Sequence, residues 1–252
     1  MTSYVVHDTA VLTQRSLRHI VRSPETIITT VATPIAMLLL FVYVFGSAIQ
    51  IGGSYVNYLL PGILLITVAS GIAYTAFRLF TDVSSGIFER FQSMPITRSA
   101  VLWSHVLTSV VANLTSLALV VLVAVAMGFR SGAGVLAWLA VLGIMALFTP
   151  ALTWLAVIPG LTATTVDGVS GFSYPLIFLP FISSAFVPTS GMPGPVRWFA
   201  EHQPVTSIVD TIRNLYAVQP VVNNGWIALA WCVGLLLVAY ALAMHTYRRK
   251  IA

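Results

Sequence analysis

The chain has 252 residues, of which 58% are apolar and only 8% charged, with a formal net charge of +5. A soluble domain carries roughly 25% charged residues, so this composition cannot cover a water-facing surface. A lone Cys232 excludes an internal disulfide, and a lone lysine at position 250 with scattered arginines excludes a nucleic-acid interface.

Charge is absent over 52 residues between Glu25 and Arg78, over 31 residues (99–129), 36 (131–166), 29 (168–196) and 34 (214–247). A helix crossing the ~30 Å hydrocarbon layer needs about 20 apolar residues. The first interval therefore holds two spans and each of the others one. The expectation is an all-α polytopic membrane protein, a single domain over residues 1–252. Its six spans fall at about 28–48, 58–80, 101–127, 135–158, 170–190 and 226–247. Runs such as LALVVLVAVAM (117–127) do not alternate, which argues against a β-barrel.

Residues 5–23 come before the first span. Ala10, Leu17, Ile20 and Val21 can share one face, with Arg15, Arg18 and Arg22 toward the polar side. This predicts an interfacial helix at an anionic leaflet. A mechanical role and a plain helical lead-in both fit it. Ser23-Pro24 should break it.

The first two spans carry Phe41, Tyr43, Phe45, Tyr58, Tyr74 and Phe77, and the fifth carries Phe178 and Phe181. With hydroxyls such as Thr67, Ser70, Ser183 and Ser184 among them, Phe41, Tyr43, Tyr74, Phe77, Phe178 and Phe181 are candidates for an apolar cargo path. Lipid-facing packing explains the same composition.

Between spans two and three the chain reads SSGIFERFQSMPITRSA (84–100). Thr81 to Ser85 offer capping oxygens, Gly86 a tight approach, and Met94-Pro95 a stop. Residues 84–95 are expected to form a short cytoplasmic helix. Phe88 and Phe91 would be its aromatic anchors, and Glu89 and Arg90 would set its orientation. It could seat in a partner's socket or rest on lipid.

Residues 191–222 are too polar to span and too apolar for a free loop. Pro193, Pro195 and Pro204 divide them into short external helices, with Trp198-Phe199 as interfacial anchors. Asp210 and Arg213 stand one turn apart on the last of these. Together with Trp198 and Pro204 they are the candidate external gate. With the N-terminus in the cytoplasm, nine of the twelve basic residues lie inside, which places both termini in the cytoplasm.

Three function classes compete. A gradient-driven transporter needs an ion-binding group near the bilayer midplane. No Asp, Glu, Lys or Arg lies in the middle of any span, and His105 lies one turn inside the third. A membrane enzyme needs a catalytic constellation, and the five histidines are scattered. A phosphate-binding P-loop needs Gly-Lys-Ser/Thr, which this sequence lacks. If transport uses ATP, a separate polypeptide binds the nucleotide and magnesium, and this chain needs no cofactor of its own.

The segment GIFERFQSMPITRSAVL resembles the cytoplasmic loop of ABC-2 type exporter permeases, particularly the daunorubicin-resistance branch. RSLRHIVRSPETIITTVATPIAMLLLFVYVFGSAI, YVNYLLPGILL and MPGPVRWFAEHQPVTSIVDTIRNLY resemble three further blocks of that family, in order over roughly residues 15–247. Gln92 replaces a basic residue frequent in the family, and Gln203-Pro204 replaces Asn-Pro.

The resemblance implies a type V exporter fold with a coupling helix at about 84–95 and re-entrant external helices. Gly86, Phe88, Glu89, Arg90, Phe91, Met94 and Pro95 would form the coupling element. The implied partners are an ABC ATPase subunit, a second permease copy or a sister permease, the bilayer, and a small hydrophobic cargo. The implied function is export of a hydrophobic drug, antibiotic or lipid across the plasma (inner) membrane. Export of a cell-envelope lipid or polysaccharide precursor is the alternative within the family. A gradient-driven transporter is the alternative outside it.

Overall fold

The computed structural model describes residues 2–21, 24–46, 53–86 and 100–251, and among these the chain is helical with no strand. In chain order the helices are α1 (Thr2–Val21), α2 (Pro24–Leu40), α3 (Tyr55–Ser84), α4 (Ala100–Ala126), α5 (Val135–Thr162), α6 (Val166–Gly171), α7 (Ser173–Phe178), α8 (Gly194–His202), α9 (Pro204–Tyr216) and α10 (Val222–Ile251). A π-helical turn (Phe41–Phe45) extends α2, and a 3-10 turn (Leu179–Ile182) extends α7.

Four of these, α3, α4, α5 and α10, are long and apolar enough to cross a membrane. Two shorter apolar stretches, Thr30–Phe45 and Val166–Ile182, stand where the first and fifth spans were expected. The fifth differs most from a plain span. Pro175 and Pro180 cannot donate backbone hydrogen bonds, and Ser183 turns extended (φ −147°, ψ −177°). The Ser183 hydroxyl then donates to the Pro180 carbonyl (2.6 Å) and accepts from the Ala185 amide (3.0 Å). Side-chain bonds thus replace the missing helical ones.

Helix α3 is the hub. Over its most apolar window it is 83% buried, against 22% for α10, and it packs on α2, α4, α5 and α9. Its 30 residues give about 45 Å of rise, longer than the hydrocarbon layer, so both ends reach polar surroundings. Close packing depends on small residues. A Cβ on Gly62 would meet the Ala185 Cβ at 2.7 Å. On α10, Ala228, Cys232, Ala239 and Ala243 are buried along one side and close against α5. Small residues at helix contacts suit lipid, where packing drives association.

Aromatic clusters pin each end of the bundle. Trp154 stands edge-on to Trp103 (5.1 Å) and Tyr240 (4.9 Å). Phe129, Trp138 and Tyr216 interlock at the other end at 4.9–6.2 Å.

Candidate functional site

Helix α9 buries Val205, Ile208, Val209, Ile212 and Tyr216, a spacing that puts them on one face and leaves Arg213 at its margin. Arg213 Nη1 lies 2.7 Å from Asp210 Oδ1. Nη2 donates to the carbonyls of Ser184 (2.8 Å) and Tyr58 (3.1 Å). The guanidinium sits 3.8 Å over the Tyr58 ring, and the Ser184 hydroxyl closes the set by donating to Asp210 Oδ1 (2.7 Å). Burial pushes the Arg213 pKa down from its ordinary value, while Tyr58 and Asp210 hold it up.

The clasp has a clear physical task. The stretch after Ile182 is irregular, and its carbonyls lack helical partners. An unsatisfied backbone group in hydrocarbon costs several kcal/mol. Arg213 supplies donors to that stretch from one side. The Gln203 amide, donating to the Ile182 carbonyl, supplies them from another. Thr206 ties α9 to α8 through the Ala200 carbonyl.

Of the four expected gate residues, Asp210 and Arg213 are in direct contact, and Pro204 opens the same helix at a position that tolerates proline. Trp198 stands apart on α8, 64% exposed and stacked on His202 at 4.8 Å. Glu201 pairs with Arg197 (2.7 Å), not with Arg213. That hydrogen bond holds the Glu201 carboxyl below its ordinary pKa.

The six expected cargo-path residues fall in three places. Phe41 and Phe181 stack on Phe186 at 4.7 and 4.8 Å, with Phe178 6.2 Å from Phe181. Phe186 completes this group, and the sequence reading did not single it out. Tyr74 and Phe77 line a separate cleft at the α1 end of the bundle. Tyr43 is 71% exposed and belongs to neither group.

That cleft, about 730 Å³, lies between α1, α3 and α4. Arg15, Arg18 and Arg78 line it, with the pair Asp82 Oδ2–His105 Nε2 at 3.2 Å. A narrower cavity of about 110 Å³ continues inward, sharing Tyr74, Arg78 and His105. From its wall, at Thr75 and Ser109, runs a hydroxyl ladder that sequence reading missed. Thr75 bonds Ser109 (2.9 Å), Ser109 bonds Thr153 (3.2 Å), and Thr153 donates to the Thr149 carbonyl (2.7 Å). Thr153 spends its one proton on Thr149, so Ser109 is the donor to Thr153 and accepts from Thr75. The Asn113 amide also donates to Ser109.

The coupling residues Phe88, Glu89, Arg90, Phe91, Met94 and Pro95 lie outside the described residues. Gly86 is described, at φ +72°, a left-handed conformation that glycine adopts freely. Thr81 Oγ1 donates back to Phe77 and Ser85 Oγ back to Asp82, so their protons serve the end of α3, while the N–H groups they were expected to cap lie outside the described residues. Ser84 is the last residue of α3, so any helix in the loop starts after Gly86.

Among the described residues no group of three or more His, Cys, Asp or Glu could hold a metal. The comparisons with known proteins fix the family. The family model described as ABC-2 type transporter matches residues 7–216. This chain belongs to the ABC-2 type transporter family. Among similar proteins is the daunorubicin resistance ABC transporter permease protein DrrB1 of Streptomyces coeruleorubidus. It is 30% identical over 236 residues, covering 91% of this chain and 82% of that protein. Another is the probable doxorubicin resistance ABC transporter permease protein DrrC of Mycobacterium tuberculosis, 25% identical over 97% of this chain and 89% of that protein. The ABC-2 match spans α1 to α9, so the clasp, the aromatic stack and the cleft all lie within the family's domain.

Proposed function

We propose that this chain is the membrane subunit of an ATP-driven exporter of a hydrophobic drug, with ATP hydrolysed by a separate ABC ATPase. The family match over residues 7–216 carries the reading. The relatives named for daunorubicin and doxorubicin resistance support the cargo class. The sequence has no P-loop, and its one lysine is Lys250, which supports placing ATP and magnesium on the partner.

In this reading the shorter stretches Thr30–Phe45 and Val166–Ile182 complete six crossings, together with the four long helices. Both termini are cytoplasmic, and the α1 end of the bundle faces the ATPase. The helix of residues 87–95, entered through Gly86, docks there with Phe88 and Phe91 as anchors and Glu89 and Arg90 as orienting charges. Two permeases pair, either as copies or as sister chains. The Phe41–Phe181–Phe186 stack contributes the apolar part of the path. The Asp210–Arg213 clasp, on the helix that Pro204 opens, forms the outer closure, and the exposed Trp198 on α8 anchors that end at the interface.

The test is daunorubicin accumulation in cells that express the permease alone, the permease with its ATPase, or the permease with an ATPase lacking its P-loop lysine. The proposal expects lower accumulation only in the second case. Equal accumulation in all three would overturn it.

A further inference from the structure

The narrower cavity that continues from the cleft is walled largely by small side chains. Gly71 and Thr75 on α3 line it opposite Thr108, Ser109, Ala112 and Ser116 on α4. Two of its lining residues carry buried polar atoms whose hydrogen-bonding demand is unmet. The Thr108 hydroxyl and Asn113 Oδ1 have no partner, and the two residues are 2% and 1% exposed. The Asn113 amide cannot be turned to hide this. Its Nδ2 donates to the Ser109 carbonyl (2.9 Å), which can only accept, so Oδ1 is the atom left over. Gly71 makes space for that oxygen, since a Cβ there would collide with it. A buried polar atom left unpaired is destabilising, and two around one cavity point to a ligand that pairs with them.

The two atoms define the chemistry of that ligand. Asn113 Oδ1 only accepts, whereas Thr108 can donate or accept. Hydroxyl groups satisfy both. A carboxylate or phosphate would set its own lone pairs against Asn113 Oδ1. The same wall presents Leu17, Val111 and Ala112, so the fitting group is apolar apart from its hydroxyls. Size narrows it further. A cavity of about 150 Å³ takes up benzene, so about 110 Å³ holds roughly one ring. The remainder of a larger molecule has room in the adjoining cleft, against Tyr74 and Phe77.

We infer that this cavity is a cargo subsite that receives a hydroxyl-bearing ring, its hydroxyls bonding Thr108 and donating to Asn113 Oδ1. The inference rests on the proposed export of a hydrophobic drug and narrows that drug to hydroxylated ring compounds. It also gives Tyr74 and Phe77 a place at the start of the path, away from the Phe41–Phe181–Phe186 stack.

The experiment is displacement of fluorescent daunorubicin from the purified full-length permease, with no ATPase and no ATP. The competitors are hydroxymethyl-anthraquinone and ethyl-anthraquinone, which differ only in a hydroxyl against a methyl. Wild type should favour the hydroxymethyl compound by roughly fivefold, the effect of one or two neutral hydrogen bonds. Thr108→Val keeps the shape and deletes an unpartnered hydroxyl. It should shrink that preference while the thermal midpoint holds or rises. A purely structural Thr108 would shift the midpoint and leave the preference untouched. Ala112→Leu fills the cavity and should weaken daunorubicin and both competitors. Thr162→Val, outside the cavity, should change nothing. An unchanged preference in Thr108→Val, or full daunorubicin binding in Ala112→Leu, would overturn the inference even where ATP-dependent export is intact. Binding that follows the expected pattern without any ATP-dependent export would instead count against the exporter reading alone.

Discussion

Arg213 covers the ring of Tyr58 at 3.8 Å and donates to the same residue's carbonyl at 3.1 Å, across 155 positions of sequence. This contact fastens the short helix α9 to the start of the central helix α3. It also brings the guanidinium within reach of the carbonyls at Ser184 and Ala185.

Arg213→Ala removes the donors to three backbone carbonyls and leaves Asp210 with only the Ser184 hydroxyl. Hydrogen bonds to charged groups contribute about 1.5–3 kcal/mol each, less where partly solvated. The clasp is partly solvated, so a loss of about 2–3 kcal/mol is expected, read as a fall in thermal midpoint of the detergent-solubilised permease. Arg213→Lys should recover less than half, because an ammonium cannot fork across the carbonyls. Export should fall in both variants while ATPase co-purification holds. Loss of the ATPase from Arg213→Ala would remove the clasp from the outer end.

Gly62 tests the packing between α3 and the irregular stretch. A methyl there meets Ala185 Cβ at 2.7 Å, next to backbone that has little room to move. Gly62→Ala should cost about 1–3 kcal/mol by overpacking. Gly134→Ala, with open space around it, should stay within about 0.5 kcal/mol of wild type. Equal melting behaviour of the two variants would contradict the close approach.

The hydroxyl ladder predicts a small but measurable coupling. Hydrogen bonds between helices within membranes average about 0.6 kcal/mol. Ser109→Ala and Thr153→Val should show a coupling near that value in a double-mutant cycle. Ser109→Ala should be the worse single change, because Ser109 bonds three partners. Strict additivity of the two changes would show that the ladder carries no energy.

Topology can be read by cysteine labelling in intact cells. Gly132, Gly194 and Ser85 are all exposed, and the native Cys232 is buried. Gly132→Cys and Gly194→Cys should react with an impermeant maleimide, and Ser85→Cys should not. Labelling at Ser85 would reverse the proposed orientation.

What was legible in the sequence follows from the period and range of the forces involved. The long helices α3, α4, α5 and α10 were marked by charge-free intervals, because a charge inside lipid is costly over any such stretch. The Asp210–Arg213 pair was legible because its members are three residues apart. Tyr58 as the partner of Arg213 was not, since nothing local links residues so distant. The ladder escaped for a different reason: Thr75, Ser109 and Thr153 are weakly polar singly, and their role depends on helix rotation. The break after Ile182 was foreshadowed by Pro175 and Pro180, but the replacement bonds through Ser183 depend on tertiary geometry. Tyr74 and Phe77 were grouped with Phe41 by composition, whereas α3 carries them to the opposite end of the bundle.

The central claim is that this permease moves its cargo only through ATP spent by a partner subunit. The most direct measurement is daunorubicin uptake into inside-out vesicles containing the permease and its ABC ATPase. Uptake should require ATP, stop when the ATPase loses its P-loop lysine, and persist when an ionophore collapses the proton gradient. Phe88→Ala or Phe91→Ala should reduce it by roughly thirtyfold in ATPase affinity, the expected loss for a buried aromatic anchor. Uptake that survives without the ATPase and disappears with the ionophore would contradict the account.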